Sequence, residues 1–286
     1  MYCLSTTVSA RNSPFLSSKN LGTGNVLFQI ASVYGIAKRL GRQSEFSSII
    51  EYCEYIHSLY GYNHLRTLYR NCVGKLSEYP ILLCEHSHEK KLDESLLTTI
   101  ENTPNNIIIQ GYLESPKYFH KYQDEILQLF SPDSESLRII YEKYPELLTK
   151  TCIFIHIRVG ADANVKCGIN YYKQGIAYMN DRVQNPFYFV FSDGDVDVDV
   201  AELGLSNYKK VTGNPDYIDL WVMSLCKHGI TCYSTFSWWG GYLISNPDKI
   251  ITYPLSALKF IHCRSSQTEE QLHTDYFLGA VQIKDV

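Results

Sequence analysis

Nowhere in this 286-residue chain is there a run approaching the roughly 20 apolar residues that span a bilayer. Its opening, Met1–Asn20, is polar and serine-rich, unlike the apolar stretch of a signal peptide. Both absences predict a soluble chain working in the cytoplasm. A basic block or stripe is also missing. With a net charge of −4 and a pI near 6.1, the chain does not suit nucleic acid held by phosphate neutralisation. There is no N-x-Ser/Thr sequon, internal repeat or low-complexity tract. No Gly-Lys-Ser/Thr phosphate loop occurs, which disfavours a small-molecule kinase. Two places bring Cys and His close together, Cys84-Glu85-His86-Ser87-His88 and Cys226 to Cys232 around His228. Neither has the second half of a metal-ligand spacing, so no zinc is expected.

What is present is a globular composition, 45% hydrophobic and 20% charged, enough for one large domain or two ordinary ones. The 9 cysteines are odd in number and lie in apolar surroundings such as Thr151-Cys152-Ile153-Phe154, which predicts buried reduced thiols rather than a disulfide framework. Short apolar runs alternate with amphipathic stretches, the pattern of an α/β protein with parallel sheets. Strands are expected at 107–109, 152–157, 187–191, 230–233 and 250–253. One helix is expected over 25–40, with Ile30, Val33, Ala37 and Leu40 on one face and Gly41 as its stop. A second is expected over 216–228, with Ile218, Trp221, Val222 and Leu225 on one face. The charged segment 131–150, with Pro132 and Pro145, is the clearest composition break and places a boundary near residue 148. The predicted lobes are therefore 1–148 and 149–286.

Four constellations carry chemistry. Gly22 and Gly24, followed by Asn25, open the first helix, where glycines let backbone approach a ligand in front of the positive helix end. The pair lacks the third glycine of a dinucleotide fingerprint, and by itself it is also ordinary turn chemistry. His156 and Arg158 alternate at the end of an apolar strand and so share a face. There an arginine can grip a phosphate through two parallel hydrogen bonds. Asp193 directly follows another buried strand. The run Asp193–Asp199 offers carboxylates to a hard cation such as Mg²⁺, while its later aspartates also suit a helix start. Asp219 lies off the apolar face of its helix, where a carboxylate can accept two hydrogen bonds from the edge of a guanine or sit solvated.

The Asp219 helix leads into the most specific stretch, Ser234-Thr235-Phe236-Ser237-Trp238-Trp239-Gly240-Gly241, at a strand-to-helix junction. Hydroxyl side chains there cap the helix and leave an anion site for a phosphate. Two adjacent tryptophans make the motif distinctive.

Taken in order, Gly22 to Gln29, Gly111 to Phe119, His156-Ile157-Arg158, Phe191-Ser192-Asp193 and Met223 to His228 running into Ser234 to Trp239 resemble the α-1,2-fucosyltransferase family. A fainter echo follows at Asp275-Tyr276-Phe277. The resemblance implies two Rossmann-like lobes of the GT-B type and an inverting, metal-independent transfer of fucose from GDP-fucose to a glycan acceptor, by family precedent the 2-hydroxyl of a galactose-like sugar. No cofactor beyond the donor is implied. It further implies that the C-terminal lobe holds the nucleotide, with His156 and Arg158 beside the diphosphate and Asp219 a candidate for the guanine. Ser234, Thr235, Phe236 and Ser237 would surround the phosphates and ribose, and Gly22, Gly24 and Asn25 would reach the donor from the other lobe. Arg158 is the principal expected catalytic residue, with His156 and Asp193 beside it.

The chain departs from the family pattern at several points. Val159 and Gly160-Ala161-Asp162 replace a second Arg followed by Gly-Asp. Gly194 replaces an Asp, Val26 a Gln and Tyr233 an Asn, and the first 20 residues make a longer lead-in. Two other readings stay open: a non-catalytic nucleotide-sugar or carbohydrate-binding protein on the same fold, and a metal-dependent glycosyltransferase using Asp193–Asp199.

Overall fold

The computed structural model describes residues 2–6, 22–46, 81–84, 90–158, 167–192, 200–263 and 266–284. The chain divides into two compact units, Met1–Phe130 with Ser265–Gln267, and Ser131–Arg264 with Thr268–Val286.

In the first unit, β1 (Cys3–Thr6), β2 (Gln43–Ser44), β3 (Ile81–Cys84) and β4 (Ile107–Gln110) form a parallel sheet in the order β2-β1-β4-β3. Helix α1 (Thr23–Arg39) is buried along most of its length, from Val26 through Val33 and again at Gly35 to Ala37, which matches a sequence that is apolar nearly all round. Lys38 and Arg39 complement the negative end of its dipole. Gly41 ends it at φ +62. There Arg42 N–H donates to the Ala37 carbonyl at 2.8 Å and Gly41 N–H to that of Lys38 at 3.5 Å, the paired closure that a left-handed residue allows. Helix α2 (Glu94–Glu101) is capped by Asp93, which accepts from Leu96 N–H at 3.0 Å. Helix α3 (Gln123–Leu129) closes the unit.

The charged segment after residue 130 folds as α4 (Ser134–Lys143) and α5 (Glu146–Thr149) and belongs wholly to the second unit. The partition thus falls at the start of that segment, not near 148. Ile140 and Tyr144 are buried, and the Tyr144 ring meets Phe189 edge-on at 5.5 Å, so apolar anchors outweigh the polar composition of α4. The second sheet contains β5 (Thr151–Ile157), β6 (Pro186–Ser192), β7 (Tyr208–Lys210), β8 (His228–Ile230), β9 (Ile251–Pro254) and β10 (Val281–Ile283). All are parallel, in the order β10-β9-β8-β5-β6-β7. Ile153, Ile155 and Ile157 share a core with Tyr171, Tyr172, Ile176 and Met179 of α6 (Ile169–Arg182), as period-two alternation requires. Helices α7 (Asp216–Leu225), α8 (Thr235–Tyr242), α9 (Leu255–His262) and α10 (Glu269–Asp275) complete the unit.

The expected strands match β4, β5, β6 and β9, with one shift. β8 occupies His228–Ile230, not 230–233, and α7 stops at Leu225. Cys226 turns extended, and Lys227 N–H then donates to the Cys152 carbonyl of β5 at 2.8 Å, so pairing starts earlier. Thr231 N–H still donates to the Thr252 carbonyl of β9 at 3.0 Å, and at Cys232 the backbone turns to the next helix, its N–H donating to Ser237 Oγ at 3.3 Å.

Candidate active site

The order of the second sheet creates a switch point. From β5 the chain steps outward through β6 to β7, then returns to lay β8 on the opposite side of β5. In open parallel sheets the crevice at the carboxyl ends of the strands flanking such a reversal is where ligands bind. Here those strands are β5, followed by Arg158, and β8, followed by Thr231–Ser234 and α8.

Two residues after His156, half-buried Arg158 extends the same face of β5. Its Nη1 donates to Ser234 Oγ at 3.4 Å. That hydroxyl also accepts from Phe236 N–H at 3.3 Å as the N-cap of α8. A guanidinium and a helix N-terminus with no acidic residue in its first turn therefore converge on one oxygen, an arrangement suited to an anion. His156 is 5% exposed. Its Nδ1 lies 3.3 Å from Cys232 Sγ, its ring 5.8 Å from that of Phe236, and its carbonyl accepts from the Tyr172 hydroxyl at 3.2 Å. Ser237, fully buried, is tied to the turn. Its Oγ accepts from Cys232 N–H and donates towards the carbonyls of Cys232 and Ser234, each at 3.3 Å. Thr235 and Phe236 are half-buried in the same first turn.

The remainder of the motif holds this helix in place. Trp239 is fully buried. Trp238 stacks on Tyr242 at 5.0 Å and on Tyr276 at 5.9 Å, and donates its indole N–H to the Tyr276 carbonyl at 2.9 Å, which ties the Asp275-Tyr276-Phe277 stretch to α8. A Cβ on Gly240 would come within 2.8 Å of the Met223 sulfur, so glycine there lets α8 close on α7. At the far end, Lys249 Nζ donates to the carbonyls of Gly241, Tyr242 and Ile244 at 2.8–2.9 Å. Burial pushes this ammonium down to about 8. Tyr233 packs its ring against Phe260 at 5.1 Å.

Asp219 sits elsewhere. It accepts from Asn214 Nδ2 at 2.8 Å, and the same amide nitrogen donates to the Tyr144 hydroxyl at 2.6 Å. Burial pushes its carboxyl up to about 7, with the Asn214 hydrogen bond opposing that rise. Among the described residues no contact joins Asp219 to the Arg158–Ser234 group.

In the first unit, Gly22 is the N-cap of α1 at φ −60, with no atom within 4 Å of an added Cβ. Among the described residues, neither conformation nor crowding demands glycine there. Gly24 is buried and Asn25 half-buried, with Asn25 N–H donating to the Gly22 carbonyl at 2.9 Å. Gln29 Nε2 donates to the Gly111 carbonyl at 2.6 Å and Ser32 Oγ to that of Leu113 at 2.8 Å. These bonds bolt the 111–119 segment to α1. Leu113 takes φ 51, and the next residue, Glu114, pairs with Lys90.

Asp193, the run to Asp199, Val159, Gly160, Gly194 and the Glu85–His88 cluster lie outside the described residues. Among those described, no group of three or more His, Cys, Asp or Glu side chains is placed to hold a metal ion, and no helix is long and apolar enough to cross a membrane. Sequence reasoning missed Cys232, Asn214 and Lys249. Cys232 carried a signal, since it falls between an apolar strand and the hydroxyl motif. The other two act through contacts with no local pattern.

A sequence profile of glycosyl transferase family 11 matches residues 90–271. The chain belongs to this family. This family-11 chain is 28% identical over 201 residues to an α-1,2-colitosyltransferase of Escherichia coli, covering 63% of this chain and 65% of that one. It is 29% identical over 184 residues to the O-antigen biosynthesis glycosyltransferase WbnK of Escherichia coli, covering 58% and 60%. The match thus spans less than two thirds of either relative. Its fold is similar to that of fucosyltransferase NodZ from Bradyrhizobium, with TM-score 0.50 at 15% identity over 84% of this chain and 91% of that one. A NodZ α-1,6-fucosyltransferase soaked with GDP-fucose matches at TM-score 0.50 and 16% identity, over 86% and 96%. The two units of parallel sheet agree with the α/β, GT-B type architecture expected from the motifs.

Proposed function

We propose that this family-11 chain transfers fucose from GDP-fucose to a hydroxyl of an acceptor glycan, a galactose-like 2-hydroxyl by family precedent, with inversion and without a metal. The observation that carries the reading is Arg158 meeting the N-cap Ser234 across the switch point. As the acceptor hydroxyl oxygen attacks the anomeric carbon and gives up its proton to a general base or to solvent, the bond to the diphosphate breaks and its electron pair passes to the diphosphate oxygen. Arg158, His156 and the first turn of α8, with Ser234, Thr235, Phe236 and Ser237, are assigned to that developing charge. Fixed donors of this kind act most strongly on the transition state. Asp219 is kept for the guanine, Asp193 as a catalytic residue, and Gly22, Gly24 and Asn25 as donor contacts of the first unit. The colitosyl group named in one relative is the competing donor sugar, which a panel of activated sugars separates.

Arg158→Ala is expected to lose at least about two orders of magnitude in transfer, the usual cost of one main transition-state donor. Near wild-type turnover would sink the assignment. Thermal shifts should favour GDP over UDP and ADP, and equal shifts would remove the guanine reading. Binding of GDP without turnover on any acceptor would point instead to a binding protein. Activity lost in EDTA and restored by Mg²⁺ or Mn²⁺ would overturn metal independence.

A further inference from the structure

We infer that Cys232 is a positioning residue for His156: its thiol donates to Nδ1 and keeps the imidazole proton on Nε2. The two residues are held independently. His156 is fixed in β5, where its carbonyl accepts from Tyr172 and its ring lies beside Phe236. Cys232 is fixed by the exchange of hydrogen bonds between its backbone and Ser237 Oγ. Sγ and Nδ1 then meet at 3.3 Å in a buried setting.

Two proton arrangements fit that contact, and the neighbours choose between them. Ser237 Oγ has a single proton, directed at the Cys232 and Ser234 carbonyls at 3.3 Å, and it already accepts from Cys232 N–H. Its contact with Sγ is longer, at 3.6 Å. An imidazole nitrogen is a better acceptor than a thiol sulfur, so the thiol proton goes to Nδ1. The partner of one ring nitrogen decides which nitrogen carries the proton. The result is Nε2–H on the same strand face as Arg158, adding a donor at an edge that would otherwise gain a lone pair repelling an anion. The kinetic part of this inference rests on the proposed donor site; the tautomer does not.

The test is ¹⁵N-histidine NMR on the full chain near neutral pH, with the His156 signal identified by its loss in His156→Gln. Wild type should show Nδ1 unprotonated and Nε2 protonated. Cys232→Ala should mix the two tautomers and lower kcat about ten-fold, the scale seen when a histidine loses its orienting partner. The donor KM should change less than about two-fold, since the loss falls on the transition state. Cys232→Ser, which keeps a hydroxyl donor, should restore both the tautomer and most of the rate. An Nδ1–H tautomer or an imidazolium in wild type, or an unchanged tautomer in Cys232→Ala, would overturn the inference. If the chain failed to bind GDP at all, the donor-site reading would fall while the NMR result still decided this one.

Discussion

Asp219→Asn isolates a charge whose behaviour the structure defines. Burial raises the Asp219 carboxyl from 3.8 to about 7, so the native protein holds this proton across a window in which the unfolded chain has already lost it. For such a group stability is greatest below the unfolded value and falls as pH rises towards the folded one. Integrating between about pH 5 and pH 8 gives a loss of roughly 2–3 kcal/mol, or on the order of 2 kcal/mol after allowing for solvent at a half-buried site. Asparagine fills the same volume and does not titrate. The assay is the melting temperature of both proteins across that range. The variant should gain on wild type as pH rises, by about 2–4 °C for each kcal/mol in a chain of this size. Comparing the two pH profiles cancels every other titrating group distant from the site. Parallel profiles would refute the reasoning, because Asp219 would then ionise at its ordinary value despite its burial. A guanine recognised by this carboxylate adds a second consequence: GDP affinity should rise with pH up to about 7 in wild type and be weak and flat in the variant.

Lys249→Met should leave three carbonyls at the end of α8 without their ammonium and destabilise the second unit by about 1–3 kcal/mol, read by urea unfolding; an unchanged midpoint would show that the three bonds contribute nothing net. Gly240→Val should force α8 away from Met223, costing about 1–3 kcal/mol or more, and weaken GDP binding in the same thermal-shift assay. Full stability there would mean the α7–α8 contact is looser than the 2.8 Å approach implies.

The elements most legible in the sequence were those whose own composition decides them. β5 and β6 are seven-residue strands built around apolar runs, Cys152–Ile155 and Phe187–Phe191, and α1 is closed by a glycine that takes the positive φ expected of it. Short edge strands such as β2, β7 and β10 have two or three residues, too few for alternation to register, and exist because a neighbour offers a free ladder. Four of the expected donor-site residues, with His156 and Arg158, came from motifs and lie about the carboxyl ends of β5 and β8. Asp219 illustrates what a motif cannot convey. Its helix position was readable, but its bond to Asn214, which also reaches the Tyr144 hydroxyl, was not, because Tyr144 follows a distant helix and only tertiary packing brings it near. The pairing of His156 with Cys232 spans 76 residues and is invisible for the same reason.

The reversal of strand order also governs when the pieces come together during synthesis. β5, β6 and β7 can form a partial sheet as soon as they leave the ribosome, and domains do tend to fold in that order. The flank of β5 that will receive β8 stays uncovered until residue 230 has emerged, and α8 is complete only at Tyr242. A nascent chain cut off after β7 therefore carries Arg158 beside a bare strand edge, the surface most prone to pair with another chain. Long-range closure of this kind is slow, so the last strands to arrive both finish the anion site and seal an aggregation hazard.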